Sequence, residues 1–490
     1  MIVAIDAGTT GVRAFAVDEA GRPAGSSYRE FPQHYPRPGW VEHDASDIWL
    51  AVQGTLASLV AELDQPIAAV GITNQRETVL AWSRRTGRPL SPAIVWQDRR
   101  TAERCDQLVA AGHLAAVRER TGLVLDPYFS ATKLAWLLEE GVVADGPDLA
   151  VGTVDSWVLW NLTGGRVHGT DPSNASRTLL YDLRTGGWSA ELAELFGVPL
   201  GCLPQVLASS GELGRTALGA SQLPAGIPVA GVAGDQQAAL FGQACFTEGM
   251  TKNTYGTGSF VLMNVGPHCP APVDGLLSTV AWQLADGKVA YALEGSIFVT
   301  GAAIQWLRDG LGLVQDAAET GPLAASVPDT GGVYLVPAFT GLGSPWWDPY
   351  ARGTIAGITR GTTRAHLARA AVEAMAYQTR DVVEAMAEAS GRRVVHLRVD
   401  GGASVMDLLL QLQADQLGVP VARPRTTETT ALGAAFLAGL GAGVWGSTDD
   451  VAACWEVDVE VRPGPGRAAA DAAYVGWGRA VGLARGWARA

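Results

Sequence analysis

Two acidic residues stand where the chain turns beside glycines, a setting in which carboxylates meet phosphates and hydroxyls. Asp6 follows the apolar run Met1-Ile2-Val3-Ala4-Ile5 and precedes Ala7-Gly8-Thr9-Thr10-Gly11, whose backbone N–H groups and hydroxyls suit phosphate oxygens. A carboxylate next to a phosphate repels it unless a cation lies between, so Asp6 implies Mg2+, held largely through water. An ordinary tight hairpin with Asp6 capping its turn accounts for the same residues. Asp235 lies in Gly231-Val232-Ala233-Gly234-Asp235-Gln236-Gln237-Ala238, a glycine-bounded switch from strand to helix of the kind where functional groups of α/β domains gather. Phosphoryl transfer needs positioning, charge compensation and a carboxylate that accepts the proton of the attacking alcohol. Asp235 fits that last role better than any other acid in the chain. A plain helix N-cap is the competing reading, although Gln236 and Gln237 supply donors that a cap does not use.

Other runs would complete such a site. Gly71-Ile72-Thr73-Asn74-Gln75-Arg76-Glu77 sets opposite charges side by side after an apolar strand. Neighbours in a strand face opposite sides, so both point into one pocket only if the strand has ended by Arg76; otherwise they form a solvated charge pair. A small polyol needs donors and acceptors together, because an unpaired buried hydroxyl costs about 1–3 kcal/mol, and Arg76 and Glu77 provide one of each. Trp96 in Ile94-Val95-Trp96-Gln97-Asp98 and Tyr128 in Asp126-Pro127-Tyr128-Phe129 suit the C–H faces of such a ligand, or else belong to the core. Tyr255-Gly256-Thr257-Gly258, ahead of Phe260-Val261-Leu262-Met263, repeats the glycine-threonine design of the first turn. Asp400-Gly401-Gly402-Ala403-Ser404 either lets the backbone lie against an adenine or ribose or is a sharp strand-to-helix turn. Arg13 is within reach of an anionic phosphate, or is an exposed strand residue.

The elements that must hold these groups alternate along the chain. Ile2–Ile5 and Val12–Val17 read as the two arms of a hairpin, and Ile227–Val232 and Val395–Val399 as further strands. After Thr362-Thr363, the residues Val372, Met375, Thr379, Val382 and Met386 recur at three and four residues, as one face of a capped helix does. The Ala-Gly-rich stretch Ala431–Gly443 reads as a tightly packed helix rather than a linker. Strands between helices predict sheets with helices packed on them. A chain of 490 residues exceeds what one core usually serves. Each half opens with a glycine-threonine hairpin, which predicts two related α/β domains, residues 1–245 and 246–490, with a cleft between them.

Composition narrows the classes. Hydrophobic residues at 48% and charged residues at 17% suit a chain folded nearly throughout. A net charge of −13 argues against a nucleic-acid partner, which draws on clustered Lys and Arg. Cys105, Cys202, Cys245, Cys269 and Cys454 lie far apart, as free thiols in a reducing compartment do. The opening apolar run is too short for a signal peptide and no stretch is long enough to span a membrane, so the expectation is a soluble, cytoplasmic protein with no membrane insertion.

Taken together, these motifs resemble the glycerol kinases of the FGGY carbohydrate kinase family over nearly the whole chain. The resemblance is carried by Gly71 to Glu77, Ala93 to Arg100, Gly122 to Phe129, Asp171-Pro172-Ser173-Asn174-Ala175-Ser176-Arg177, Ala233 to Gly242 and Lys252 to Gly258. It implies an α/β fold of two ribonuclease H-like (actin/hexokinase-type) domains around a catalytic cleft, with glycerol and ATP as substrates, ADP as a product and Mg2+ as the ion. It also implies a glycerol pocket of Arg76, Glu77, Trp96, Tyr128, Asp235, Gln236 and Phe260, with Asp235 as base and Asp6 and Asp235 at the metal. For the nucleotide it implies Thr9, Thr10, Gly11, Arg13, Thr257, Gly301, Gln305 and Gly402. Where relatives have Asn four residues beyond that last glycine, this chain has Met406, whose thioether cannot replace the hydrogen bonds of an amide. Because relatives commonly form dimers or tetramers, the resemblance also implies a homodimer or homotetramer. Some are switched on by phosphorylation of a histidine before the Asp235 strand, but no His lies between His168 and His268 here. A kinase for another polyol or a ketopentose, and a non-catalytic ATP-binding protein of the same fold, are the competing readings.

Overall fold

Ile2–Ala7 (β1), Gly11–Val17 (β2) and Pro23–Glu30 (β3) form an antiparallel meander in the computed structural model, which describes residues 1–489. Ala69–Asn74 (β4) lies parallel to β1. Ser210–Arg215 (β5) closes the far edge against Pro228–Gly234 (β6), which lies parallel to β4. The order is β5-β6-β4-β1-β2-β3. The central strands are apolar nearly throughout because both faces are covered. Val3, Ile5, Val70 and Ile72 pack with Ala45–Glu62 (α1) and Val154–Leu162 (α2), while Ile2, Ala4, Ala69 and Ala230 pack beneath a helix from the far end of the chain, Thr429–Gly441.

Thr251–Tyr255 (β7), Ser259–Gly266 (β8), Leu277–Gln283 (β9), Val289–Ile297 (β10), Leu397–Gly401 (β11), Val421–Pro424 (β12) and Val457–Val461 (β13) make a second sheet, order β9-β10-β8-β7-β11-β12-β13. Its pairings repeat the first sheet: a meander of β7, β8 and β10, then β11 and β12 in parallel, then β13 antiparallel at the edge. This is the expected ribonuclease H-like order, and it gives the two glycine-threonine hairpins equivalent places.

Asp235–Gly242 (α3) follows β6, Gly301–Gln305 (α4) follows β10, and Arg364–Ser390 (α5), Asp407–Leu417 (α6) and Thr429–Gly441 (α7) complete the helices needed here. Thr363 caps α5 in a reciprocal box with His366, and the five residues at three- and four-residue spacing are all buried. The Ala-Gly-rich helix α7 crosses back to the first sheet. A Cβ on Gly71 would strike the Ala434 carbonyl, and one on Gly231 would strike the Ala438 nitrogen. Between α3 and α7 the contact is closer still, since Gly433 abuts the Ala238 carbonyl and Gly242 that of Thr429. Small residues are needed because backbone meets backbone.

Beside the first sheet the chain adds a four-stranded sheet of Glu42–His43, Ala93–Ile94, Val79–Ser83 and Leu149–Thr153. The loops around it carry Trp96 and Tyr128. No helix among the described residues is long and apolar enough to cross a membrane.

Candidate active site

Register brings the acids together. Ala7 and Gly234 both pair with Asn74, so Asp6, the Gln75–Glu77 turn and Asp235 all emerge at the carboxyl ends of three adjacent parallel strands, the usual binding edge of an α/β sheet. The cap reading of Asp235 does not hold: Gly234 occupies the N-cap position of α3, and Asp235 is its first helical residue. Its Oδ1 accepts from the Gln236 N–H at 2.7 Å and lies 3.1 Å from Arg76 Nε, with the side chain 30% exposed to the cleft. Burial pushes this carboxyl up from its ordinary value, while Arg76, the Gln236 N–H and Lys252 work to keep it ionised. Asp6 is pushed up to about 7, by burial first and by the charge of Asp235 second, with Arg13 opposing.

Arg76 and Glu77 are not a solvated pair. The strand ends at Asn74, and Glu77 takes a left-handed backbone, φ 60°, which is uncommon for a residue with a side chain and marks strain held by its surroundings. Both side chains turn inward, Arg76 Nε to Glu77 Oε1 at 3.9 Å, at 2% and 1% residue exposure. Burial of this kind demands partners. Glu294 of β10 meets Arg76 through both terminal nitrogens, at 2.5 and 3.2 Å, and accepts from Arg177 Nη2 at 3.0 Å. Arg177 Nε in turn donates to Glu77 Oε1 at 2.6 Å. Burial alone would raise the Glu294 carboxyl, but the guanidinium groups of Arg177 and Arg76 hold it at about 2.

Lys252, wholly buried on β7, donates to Gln236 Oε1 and to Thr254 Oγ1. Burial lowers its ammonium to about 8 against the pull of Asp400, Asp235 and Glu294. Arg177, Lys252 and Glu294 are absent from the site set expected from sequence. The first two fall inside runs that carried the family resemblance, without a role attached. The signal for Glu294 was a lone acid in the apolar strand Ala290-Tyr291-Ala292-Leu293-Glu294.

Trp96, Tyr128 and Phe260 stand beside this charge cluster, Tyr128 and Phe260 with their other sides on the core. The Trp96 and Tyr128 rings meet edge to face at 5.6 Å, the Tyr128 hydroxyl lies 3.4 Å from Arg76 Nη2, and the Phe260 ring lies 5.9 Å from the Arg76 guanidinium. Trp96 Nε1 donates to Thr9 Oγ1 at 3.0 Å, which joins this pocket to the first hairpin.

In that hairpin Gly11 begins β2 and Thr10 Oγ1 lies 3.3 Å from the Tyr28 hydroxyl. Arg13 is paired with Glu428, just before α7, at 3.2 Å. Around the second hairpin, Gly301 N donates to Gly256 O and Ala302 N to Thr257 O, both at 3.0 Å, while Tyr255 pairs with Gly401 in parallel register. Thr257, Gly301 and Gly402 are therefore neighbours. Gln305 ends α4, exposed, one turn beyond Gly301. Met406 stands at the N-cap of α6 without a side-chain cap bond, packed in an apolar cluster and against Gly321.

Known proteins are similar to this chain over most of its length. The model of the FGGY family of carbohydrate kinases, N-terminal domain, matches residues 1–242, and that of the C-terminal domain matches 251–442. Glycerol kinase from Bordetella parapertussis is 54% identical over 498 aligned residues, which cover 100% of this chain and 98% of the relative. Glycerol kinase 2 from Thermotoga maritima is 53% identical, with 99% of each chain covered. The crystal structure of Plasmodium falciparum glycerol kinase with ADP is similar at a TM-score of 0.93 and 33% identity, covering 99% of this chain and 98% of that one. With both family domains matched across most of its length, the chain belongs to the FGGY family of carbohydrate kinases.

Proposed function

We propose that the chain transfers the γ-phosphate of ATP to glycerol, giving sn-glycerol 3-phosphate and ADP (EC 2.7.1.30), in glycerol uptake and catabolism. The observation that carries this reading is the joining of the buried Arg76–Glu77 charge cluster and its aromatic neighbours to the glycine-threonine hairpin, through the 3.0 Å bond from Trp96 Nε1 to Thr9 Oγ1. The full-length likeness to glycerol kinases supports it.

In this reading Arg76 donates to glycerol hydroxyls, Glu77 accepts from them, and Gln236 and the Tyr128 hydroxyl complete the set. Trp96 and Phe260 cover the C–H faces. Asp235, open to the cleft, takes the proton of the attacking hydroxyl as the bond to phosphorus forms. Thr9, Thr10, Gly11, Arg13 and Thr257 hold the phosphates from both sheets, and Gly301, Gln305, Gly402 and Met406 face the adenosine.

Asp6 and Asp235 form a donor set that fits Mg2+, which takes one or two carboxylates and fills the rest of its shell with water and phosphate oxygens. The upward push on Asp6 from Asp235 is the repulsion such an ion would relieve. Bound there, Mg2+ would neutralise charge on the β- and γ-phosphates. The same reading divides the chain into domains 1–245 and 246–490, with α7 of the second laid on the sheet of the first, and gives a cytoplasmic homodimer or homotetramer.

An ADP-release assay with glycerol, dihydroxyacetone, xylulose and no acceptor tests the reaction. Glycerol should give the highest kcat/KM. Equal rates in all four arms would leave only an ATPase, and a preference for xylulose would assign a ketopentose kinase.

A further inference from the structure

We propose that Glu294 is a positioning residue for the acceptor, reaching from the second sheet to set Arg76 and Glu77 in the geometry that meets the acceptor's hydroxyls. This rests on the pocket assignment above.

Arg76 has few N–H directions to spare. Its Nε faces Asp235 at 3.1 Å, Nη1 faces Glu294 Oε2 at 2.5 Å and Gln237 Oε1 at 3.3 Å, and Nη2 faces Glu294 Oε1 at 3.2 Å and Tyr128 Oη at 3.4 Å. The two-point grip of Glu294 therefore fixes the plane of the guanidinium, as carboxylates do with the rigid Arg fork. Only its Tyr128 edge is left toward the pocket. Through Arg177 the same carboxylate acts on Glu77: Arg177 bonds Glu294 Oε1 with Nη2 and Glu77 Oε1 with Nε. Among the described residues no hydrogen bond reaches Glu77 Oε2, so that oxygen remains as the acceptor for a substrate hydroxyl.

Stability alone does not account for the cluster. Buried ion pairs are often matched by well-packed apolar side chains of similar volume, and Glu294, at 0% exposure, is the one charged residue in its strand. Apolar groups could not orient a guanidinium. The placement also has direction. Glu294 pairs with Leu262 on β8, the strand that begins beside the Thr257 hairpin and carries Phe260. Arg76, Glu77 and Arg177 belong to the first half. The acceptor pocket is thus complete only when the sheet that carries the second phosphate hairpin is seated against the first, which ties acceptor binding to the same relative placement that gathers the phosphate groups.

The test is steady-state kinetics of Glu294→Gln, Glu294→Asp and Arg177→Gln, on whichever of glycerol, dihydroxyacetone or xylulose the wild type uses best, with thermal midpoints for each protein. Glu294→Gln should raise the acceptor KM at least tenfold while the ATP KM stays within twofold. Glu294→Asp should recover part of that loss, and Arg177→Gln, which removes the links from Arg177 to both Glu77 and Glu294, should also raise the acceptor KM. If Glu294→Gln does not fold, the other two variants decide. A folded variant of this set whose acceptor KM stays within twofold of wild type, or whose ATP KM rises by the same factor, overturns the proposal. Wild type preferring an acceptor other than glycerol removes the glycerol assignment while leaving Glu294 testable on that acceptor, and a wild type that uses none of them removes both.

Discussion

Asp235→Asn separates the chemistry of the site from its shape. Asn is nearly isosteric and keeps an oxygen for the 3.1 Å contact with Arg76 Nε and the 2.7 Å bond from the Gln236 N–H. The acceptor pocket should therefore stay assembled. What is lost is one of three anions, Glu77, Asp235 and Glu294, that face the cations Arg76, Arg177 and Lys252. Because this side chain is 30% exposed, solvent screens much of that imbalance, and glycerol binding should weaken by no more than about 1 kcal/mol. A positioned general base contributes about 100- to 10,000-fold, so kcat should fall by that factor, equivalent to about 3–5 kcal/mol of barrier. The assay is kcat by coupled ADP release, with glycerol affinity measured separately by calorimetry. A kcat within tenfold of wild type would move the base elsewhere. Lost glycerol affinity with kcat intact would make Asp235 a binding residue only.

Three further outcomes test other parts of the molecule. Met406→Asn should lower the ATP KM by up to about tenfold, the worth of one regained hydrogen bond, and should also raise the melting temperature, since Met406 holds an N-cap with no side-chain cap bond and Asn is a preferred cap; an unchanged ATP KM would show that the adenosine does not meet this side chain. His43 is fully buried, and burial, with His34 adding to it, lowers its imidazole to about 4. The unfolded chain then binds the extra proton first, so stability should fall as pH drops from about 6.5 through 4, by at most about 3 kcal/mol from this residue. Urea unfolding at pH 7.5 and 4.5 should show a smaller acid loss in His43→Gln, and equal losses would contradict the assignment. Gly433→Val places branched atoms where α7 meets the Ala238 carbonyl, and should cost at least the 1–3 kcal/mol usual for overpacking; a wild-type denaturation midpoint would mean the two helices are free to separate.

The two glycine-threonine hairpins proposed to hold phosphate were legible in the residues themselves because a hairpin's determinants are local. A hairpin tip needs glycine and hydroxyls within four or five residues, and Ala7–Gly11 and Tyr255–Gly258 carry them in sequence. Helix α5 was equally plain, since both its cap and its buried face recur within the reach of one helix. Asp235 was ambiguous for a physical reason: an acid after Gly is favoured at a helix start whether or not it does chemistry, and it is the β1-β4-β6 register that sets Asp6 and Arg76 beside it.

Arg76 and Glu77 show where sequence alone stops. Their adjacency was visible, but not whether they lay in water or in the core, because that depends on the left-handed turn at Glu77 and on a carboxylate 218 residues away along the chain. Glu294 has no local pattern to announce it. A single acid in an apolar strand acquires meaning only when another sheet brings two arginines to it. The seating of α7 on the first sheet is of the same kind: its small residues announced close packing, while the partner surface, the glycines of β4 and β6 and the helix α3, was chosen by the tertiary fold. The amino-acid sequence by itself determined which groups could hold phosphate and take a proton. The assembly of two sheets decided which charges are buried together, since the cost of an unpaired buried charge is met only across the cleft.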